Sequence, residues 1–560
     1  MNRFLFVVLA CAAIPLMSQE IKDEIAECCV HEESSPTPVI PCLQGVLLLD
    51  RKMKLVNEEK MLNKIDGVQS IGVDIPGGIT ELEARISGYF GRPLYEKDIL
   101  CLVDVITGYY QDHLRPFVAI EIPKQIKSCA LQLILTESHL GKICIQGEKT
   151  NHFNRILSRI QMSEGDIIDE RILLRDMQFI NRNPFRRINY LFSPGAKPYT
   201  TDLLVQLDER RPFRIYAGGD NTGVSTTGQQ RWFAGFNLNV TGWADHNFSF
   251  QYTTSNDFHE FQAYTGQYLI LFPWRHLLNF YGGYSRSHVD FVFPGMTNHG
   301  TSFQASARYI YLLNPTIHLN HEFSLGFDFK QTNNTFNFGE LFAAKQPVNL
   351  FQLAGKYAGN FEGKCYRIDY DLEAYWSPGK WLPDQTNADY RTLRPGGKNH
   401  WVYARGALTY NQKLCWDFWF FSMLRGQLCG ENLLPSEQMG IGGYDTVRGY
   451  KERQLNKDNA AIANIEFRSP TTTVFFPKSN CNGPIDALQF LVFFDAGYGS
   501  NHTPLPGEPR REYLLGTGPG ARYTMNNGFT GRVDWGVKLH NRESYGGGWS
   551  MFHFSVIASY

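Results

Sequence analysis

Across residues 213–560 apolar and polar positions alternate with a period of two, in one strand-length segment after another. Such alternation places apolar side chains on one face of a strand and polar ones on the other. From Trp232 to Val240 one face carries Trp232, Ala234, Phe236, Leu238 and Val240, and the other Phe233, Gly235, Asn237 and Asn239. In the last segment Phe552, Phe554, Val556, Ala558 and Tyr560 share a face, with His553 and Ser555 opposite. The pattern predicts about 16 antiparallel strands, an even number, as single-chain bacterial barrels have. A closed barrel in a bilayer has this text, apolar outside and hydrated inside, and closure removes the unpaired edge that lipid cannot satisfy. A soluble sandwich with its apolar faces turned inward would show the same period.

Before residue 213 the pattern is mixed. An apolar run, Gly45 to Leu49, is followed by helix-like text rich in Lys and Glu. Ile99, Leu102, Val103, Ile106 and Tyr110 have helical spacing and predict a helix over 99–111, followed by extended runs at 117–122 and 130–135. A second stretch predicts a strand at 142–146, helices at 153–160 and 168–181, and strands at 188–192 and 202–207 with a Pro194-Gly195 turn between them. The second of these helices begins with Asp169 and Glu170, which suit its N-terminal dipole, and Asn183-Pro184 stops it. The order β-α-α-β-β, met twice, predicts two small α+β modules, residues 41–137 and 138–212, ahead of a barrel at 213–560.

The N-terminus changes the picture. Arg3 precedes an apolar stretch from Phe4 to Ala13, too short for a comfortable span, which reads as a secretory signal cleaved near Ser18. Cys11 after Val8-Leu9-Ala10 resembles a lipoprotein processing site only loosely. Residues 19–40 read as a short helix, Glu20 to Cys29, and a polar linker. No later run of 18 apolar residues occurs, which argues against a helical membrane protein.

Composition agrees without deciding. The chain is 14% aromatic and 19% charged with 51 Gly, a balance that fits many strands and turns and the aromatic girdles of outer-membrane barrels. A net charge of −1 with no basic block gives no reason to expect nucleic acid as a partner. The 11 Cys lack metal-ligand spacing and read as free or locally paired thiols, Cys28, Cys29 and Cys42 clustering near the mature N-terminus. His318 and His321, three apart in strand-like text, point to opposite sides and share no metal. Gly516-Thr517-Gly518-Pro519-Gly520 lacks the helix a nucleotide loop needs. Neither G-x-S-x-G nor H-E-x-x-H is present. The residues thus offer no catalytic constellation, no metal set and no cofactor motif.

Two groups of motifs carry a family resemblance. Tyr109-Tyr110, Ile122-Pro123-Lys124-Gln125, Leu131 to Glu137, Asn181-Arg182-Asn183-Pro184 and Asp220-Asn221-Thr222-Gly223 with Gly228 follow one another as they do from the first POTRA domain onward in two-partner secretion transporters. Ser128-Cys129 stands where that family often has Gly. Further on, Val447-Arg448-Gly449-Tyr450 and Phe493-Phe494-Asp495-Ala496-Gly497 resemble the inward loop motif and the F-x-D-x-G strand motif of the POTRA-barrel superfamily. The chain is thereby identified as similar to the outer-membrane component of the haemolysin/adhesin activator type.

The resemblance implies α+β periplasmic POTRA domains, then a transmembrane antiparallel barrel with an inward-folded loop around 429–458. It implies export of an unfolded exoprotein rather than catalysis, without a cofactor, with outer-membrane lipid and the barrel assembly machinery as further partners. An assembly factor inserting other barrels is the alternative, though such factors carry more POTRA domains. It also implies that Arg448 meets Asp495 on the inner wall. Strand phase agrees: Leu488, Phe490, Val492, Phe494 and Ala496 form an apolar face, so Asp495 points inward, and Glu466 does the same on the preceding strand. Phe552, Phe554 and Tyr560 read as the C-terminal barrel signal.

Overall fold

The computed structural model describes residues 37–126, 128–146, 153–290, 296–316, 318–338, 341–343, 347–475, 486–504, 507–526, 528–542, 545–546 and 548–560. The expected signal segment, the helix at 20–29 and Cys11, Cys28 and Cys29 lie outside the described residues. Two compact units emerge. The first runs to Gly141 and includes Glu164–Glu170 and Pro194–Thr201; the second holds the remainder through Tyr560.

In the first unit β1 (Gly45–Leu49), β2 (Gly67–Ile71), β3 (Val118–Glu121) and β4 (Ala130–Glu137) form a sheet in the order β2-β1-β4-β3. β1 runs parallel to both neighbours and every residue in it is buried, which explains its unbroken apolar text. Its Val46 and Leu48 pack with Leu82, Ile86, Leu102 and Ile106, while Leu47 and Leu49 meet Leu62 and Ile65 on the other face. Three helices supply these contacts: α1 (Glu59–Leu62), α2 (Ile79–Ile86) and α3 (Glu96–Asp112). α3 starts three residues before its apolar pattern, where the Asp98 carboxylate accepts the Tyr95 N–H at 3.0 Å. β2 lies in the Lys- and Glu-rich stretch whose text is helix-like. β2 has five residues and is set by pairing with a strand some twenty positions earlier, a tertiary preference that local text does not carry.

The next strands, β5 (His139–Gln146), β6 (Arg186–Pro194) and β7 (Thr200–Glu209), form a sheet in the order β5-β7-β6. α4 (Phe153–Leu157) and α5 (Glu170–Ile180) accompany it, α4 ending three residues before its expected limit.

The barrel follows. Its strands are β8 (Phe213–Asp220), β9 (Arg231–Thr241), β10 (Asp245–Ser255), β11 (Phe261–Leu271), β12 (His276–Asp290), β13 (Met296–Leu312) and β14 (Leu319–Phe338). β15 (Leu341–Ala343) only extends the end of β14. Then come β16 (Val348–Glu362), β17 (Tyr366–Ser377), β18 (Trp401–Lys413) and β19 (Trp419–Cys429), with helix α6 (Asn387–Leu393) between β17 and β18. A small hairpin, β20 (Met439–Ile441) with β21 (Leu455–Lys457), interrupts the wall. β22 (Asn459–Arg468), β23 (Asp486–Ser500), β24 (Arg511–Met525), β25 (Phe529–Lys538) and β26 (Ser550–Ser559) complete a closed antiparallel barrel of 16 strands.

The outward phase is the one read from the sequence: Trp232, Phe552, Phe554, Val556 and Tyr560 are exposed, whereas His553 is buried. Closure joins β26 to β8 over five residue pairs, Ser555↔Asp220 to Ser559↔Tyr216. Both ends of this short seam are reinforced. Asn221 donates through Nδ2 to the Phe552 carbonyl at 2.6 Å and accepts the Phe554 N–H at 3.0 Å, and Ile215 and Tyr560 exchange backbone bonds at 3.0 and 2.9 Å.

His318 and His321 do not meet: His318 Nδ1 faces the Glu362 carbonyl and His321 the Tyr357 hydroxyl. Cys42, Cys129, Cys144, Cys365, Cys415 and Cys429 are in no disulfide.

Candidate functional site

The segment between β19 and β22 turns back into the barrel and brings Arg448 to the inner wall. Arg448 is 2% exposed and Asp495 0%. The guanidinium donates to Asp495 through Nε (2.7 Å to Oδ2) and Nη2 (2.9 Å to Oδ1), a bidentate pair, and its backbone N–H adds a bond of 3.0 Å to Oδ2. Nη1 donates to Glu466 at 2.7 Å and lies 3.5 Å from Asp534. The guanidinium carbon sits 3.6 Å from the centroid of the Phe493 ring, so the planar cation is stacked as well as paired.

Three carboxylates around one arginine would repel one another without further cations. Arg522 binds Asp534 through 2.7 and 3.0 Å bonds, Arg532 binds it at 2.8 Å, and Arg468 binds Glu466 at 2.9 Å. Asn464 donates to Asp495 Oδ1 at 2.8 Å and also to the Thr446 carbonyl, at 2.5 Å. The result is a satisfied network in which each buried charge has a partner.

The rest of the motif shapes the backbone. Gly449 has φ +97°, and its N–H donates to His553 Nε2 at 3.0 Å. Val447 and Tyr450 are buried with Ile441, Ile462 and Leu514, and the Tyr450 hydroxyl lies within hydrogen-bond reach of both the Leu515 and the His540 carbonyls, its one proton serving either. Gly497 leaves room on the wall for the side chains of Ile441 and Val447. Each sequence-named loop and wall residue therefore lies in one cluster, while Phe552, Phe554 and Tyr560 lie apart from it on the outward face and the seam.

Several partners were not named from the sequence. Asp534 and His553 belong to the network, and the inward phase of β25 (Arg532, Asp534, Gly536, Lys538 between Val533, Trp535 and Val537) was a legible signal for the first of them. Gly516 and Gly536 face the Arg448 and Gly449 backbone so closely that a Cβ at either would collide with it. The glycine-rich run at 516–520 is thus a recess in a strand. Two ties at the loop stem had no motif. Fully buried Glu437 accepts from Lys330 (2.7 Å) and Tyr403 (2.7 Å). Asp458 binds Arg394 on both oxygens, and the Leu433 and His502 N–H groups at 3.1 and 3.0 Å.

At the opposite end of the strands, helix and strand residues of the second unit meet turns of the barrel. Arg159 and Arg186 both reach buried Asp245, at 2.5 and 3.1 Å, and Arg275 pairs with Asp176 of α5. Burial raises the Asp176 carboxyl above its ordinary range, while the Gln161 N–H at 2.8 Å and Arg275 pull the other way.

POTRA modules ahead of a 16-strand barrel with a loop locked against its inner wall define an outer-membrane transporter of the POTRA-barrel superfamily, its modules on the periplasmic side. The family described as haemolysin secretion/activation protein ShlB/FhaC/HecB matches residues 200–523. The chain belongs to that family and is a two-partner secretion transporter. It is 23% identical over 430 residues to the heme/hemopexin transporter protein HuxB of Haemophilus influenzae (strain 86-028NP), covering 75% of this chain and 73% of the relative. It is 24% identical over 397 residues to the outer membrane transporter CdiB of Dickeya dadantii (strain 3937), covering 69% and 68%. Among solved structures, CdiB from Escherichia coli superposes with a TM-score of 0.74 at 15% identity over 98% of both chains.

Proposed function

We propose that the chain receives an unfolded exoprotein at two POTRA modules, residues 41–137 and 138–212, and passes it through the lumen of the barrel at 213–560. The observation that carries this reading is the pair of open sheets ahead of the barrel. β2 and β3 are edge strands of one, β5 and β6 of the other, and an edge strand offers unpaired N–H and C=O groups to an extended chain. Selection by backbone pairing suits a cargo that has not yet folded. Residues 1–18 direct the chain to the periplasm, the barrel assembly machinery inserts it, and the outward aromatic face contacts lipid.

In this reading Arg448, Asp495 and Glu466 lock the loop to the wall, with Val447, Gly449 and Tyr450 shaping its tip and Phe493 and Gly497 receiving it. The arginine is saturated by protein groups and has no role in bond-making; the transporter is not an enzyme. Deleting residues 41–212 is expected to leave a barrel that inserts and conducts ions but no longer secretes its exoprotein. Secretion at the full rate by that truncation would remove the receptor role.

A further inference from the structure

The lumen is chemically divided. Toward the middle of β9 to β13 most inward positions carry amides, hydroxyls and small residues, Asn237, Gln251, Thr265, Gln267, Ser302 and Gln304 among them, while Phe233, Phe261, Leu269, Leu277 and Ile310 bring apolar side chains nearer the strand ends. Among the described inward positions of these five strands, the charged residues are Arg231, Asp245 and Arg308. All three lie toward the strand ends and are committed elsewhere, Arg231 to the Thr227 and Gly228 carbonyls, Asp245 to Arg159 and Arg186, and Arg308 to Asp328. Between them the wall carries no formal charge. The wall from β14 to β25 does: Asp328, Lys356, Asp371 and Glu373 on β14 to β17, Arg405 on β18, and the carboxylate–arginine network on β22 to β25.

Among the described residues this neutral wall is also uncovered. Thr265, Gln267 and Ser302 point inward yet are exposed, and the strip lines a cavity of about 620 Å³ bounded by Tyr216, Gln251, Tyr281 and Gln304. Its polar groups bond sideways to one another, Asn237 to Ser249 at 2.8 Å, Gln267 to Asn279 at 3.0 Å and Gln304 to Ser306 at 3.0 Å. Amides and hydroxyls tied in this way keep spare lone pairs and protons for the lumen.

We propose that the uncharged strip of β9 to β13 is the track along which the exported polypeptide slides, accepting an extended chain through interchangeable amide and hydroxyl contacts and without regard to its charge. The inference rests on the export reading and adds to it a path. Fixed charges in a narrow, partly desolvated channel hold oppositely charged segments and repel like ones, so a processive path for a long chain of mixed sequence is best built without them. Serine, threonine, asparagine and glutamine can bond a peptide group at any register and release it for the next, since each contact replaces one made equally well by water.

The test uses the full-length transporter in planar bilayers, with two short unstructured peptides as probes, one bearing several lysines and one bearing several aspartates, driven from the periplasmic side. In the double variant Thr265→Arg with Gln304→Arg, passage of the two probes is expected to diverge by about tenfold or more relative to the unsubstituted protein, as fixed charge sorts them. The variant Thr265→Gln, larger but neutral, is expected to treat both alike, and Thr409→Arg with Asn411→Arg, on the inward face of β18, to change the ratio less than twofold. Equal divergence from both walls, or none from the β11 and β13 positions, overturns the track while leaving export standing. An unsubstituted transporter that conducts ions but passes neither probe overturns the export reading and the track with it.

Discussion

The wall of β22 to β26 and the wall of β9 to β13 share backbone geometry, antiparallel pairing and an apolar outward face, yet their inward faces are opposites. The first is charged and glycine-pitted, with Gly516 and Gly536 recessed under a loop whose Arg448 is fully paired. The second is neutral, side-chain-rich and open, with Thr265 and Gln267 exposed to the lumen. Alternation alone holds a strand in a barrel, so the outward positions fix the fold while the inward ones are free to specialise. One wall is specialised to hold a segment of its own chain, the other to hold nothing for long.

The sharpest way to break the comparison is Arg448→Ala. It strips the cation from buried Asp495 and Glu466 while Asp534 stays beside them, and a buried pair broken on one side costs about 3–5 kcal/mol. The loop is expected to detach and conductance to become larger and noisier while the barrel stays inserted, measured by single-channel recording and by protease access to residues 442–454. A quiet, wild-type channel would show that the wall does not depend on the pair.

A smaller effect is expected from Gly536→Val. Its side chain has no space beside the Gly449 backbone, and overpacking of this kind costs about 1–3 kcal/mol. A loop displaced with Arg448 intact would separate the recess from the ion pair as determinants; unchanged heat-modifiability and conductance would deny the recess any role. The least effect belongs to the open wall. Gln267→Ala touches solvent and one neighbouring amide, so stability is expected to change by about 0.5 kcal/mol or less, read as an unchanged unfolding midpoint in detergent. A large loss there would mean that the open wall is structural too.

What the sequence made legible follows from this division. Period-two text marked the strands and put Asp495 and Glu466 on the polar face, because phase is a local property, but a sandwich has the same period and the choice of a closed barrel came from the resemblance. The contact of Arg448 with Asp495 came from motif order and resemblance, since 47 residues separate them and no periodicity links a loop to a wall. Asp458 and Glu437 stayed hidden. Each gathers donors from segments far apart in sequence, and a single carboxylate in a loop has no pattern of its own. β2 was missed for the same reason: its strand character belongs to its partner. The neutral wall was visible letter by letter, but its meaning appeared only when five strands were laid side by side.

The seam has a consequence in time. Asn221, one residue after the first barrel strand, holds Phe552 and Phe554 of the last, 331 and 333 positions later. Every other neighbouring pair of wall strands can form as a hairpin or across a modest loop, but this one joins segments more than 330 positions apart and closes only when the two ends of the barrel region meet. Until then β8 carries an open row of hydrogen-bonding groups that a growing sheet in lipid cannot leave bare. Closure therefore hangs on the C-terminal strand, and a chain shortened by only its final few residues is expected to be left as an open, adhesive sheet with almost all of its hairpins built.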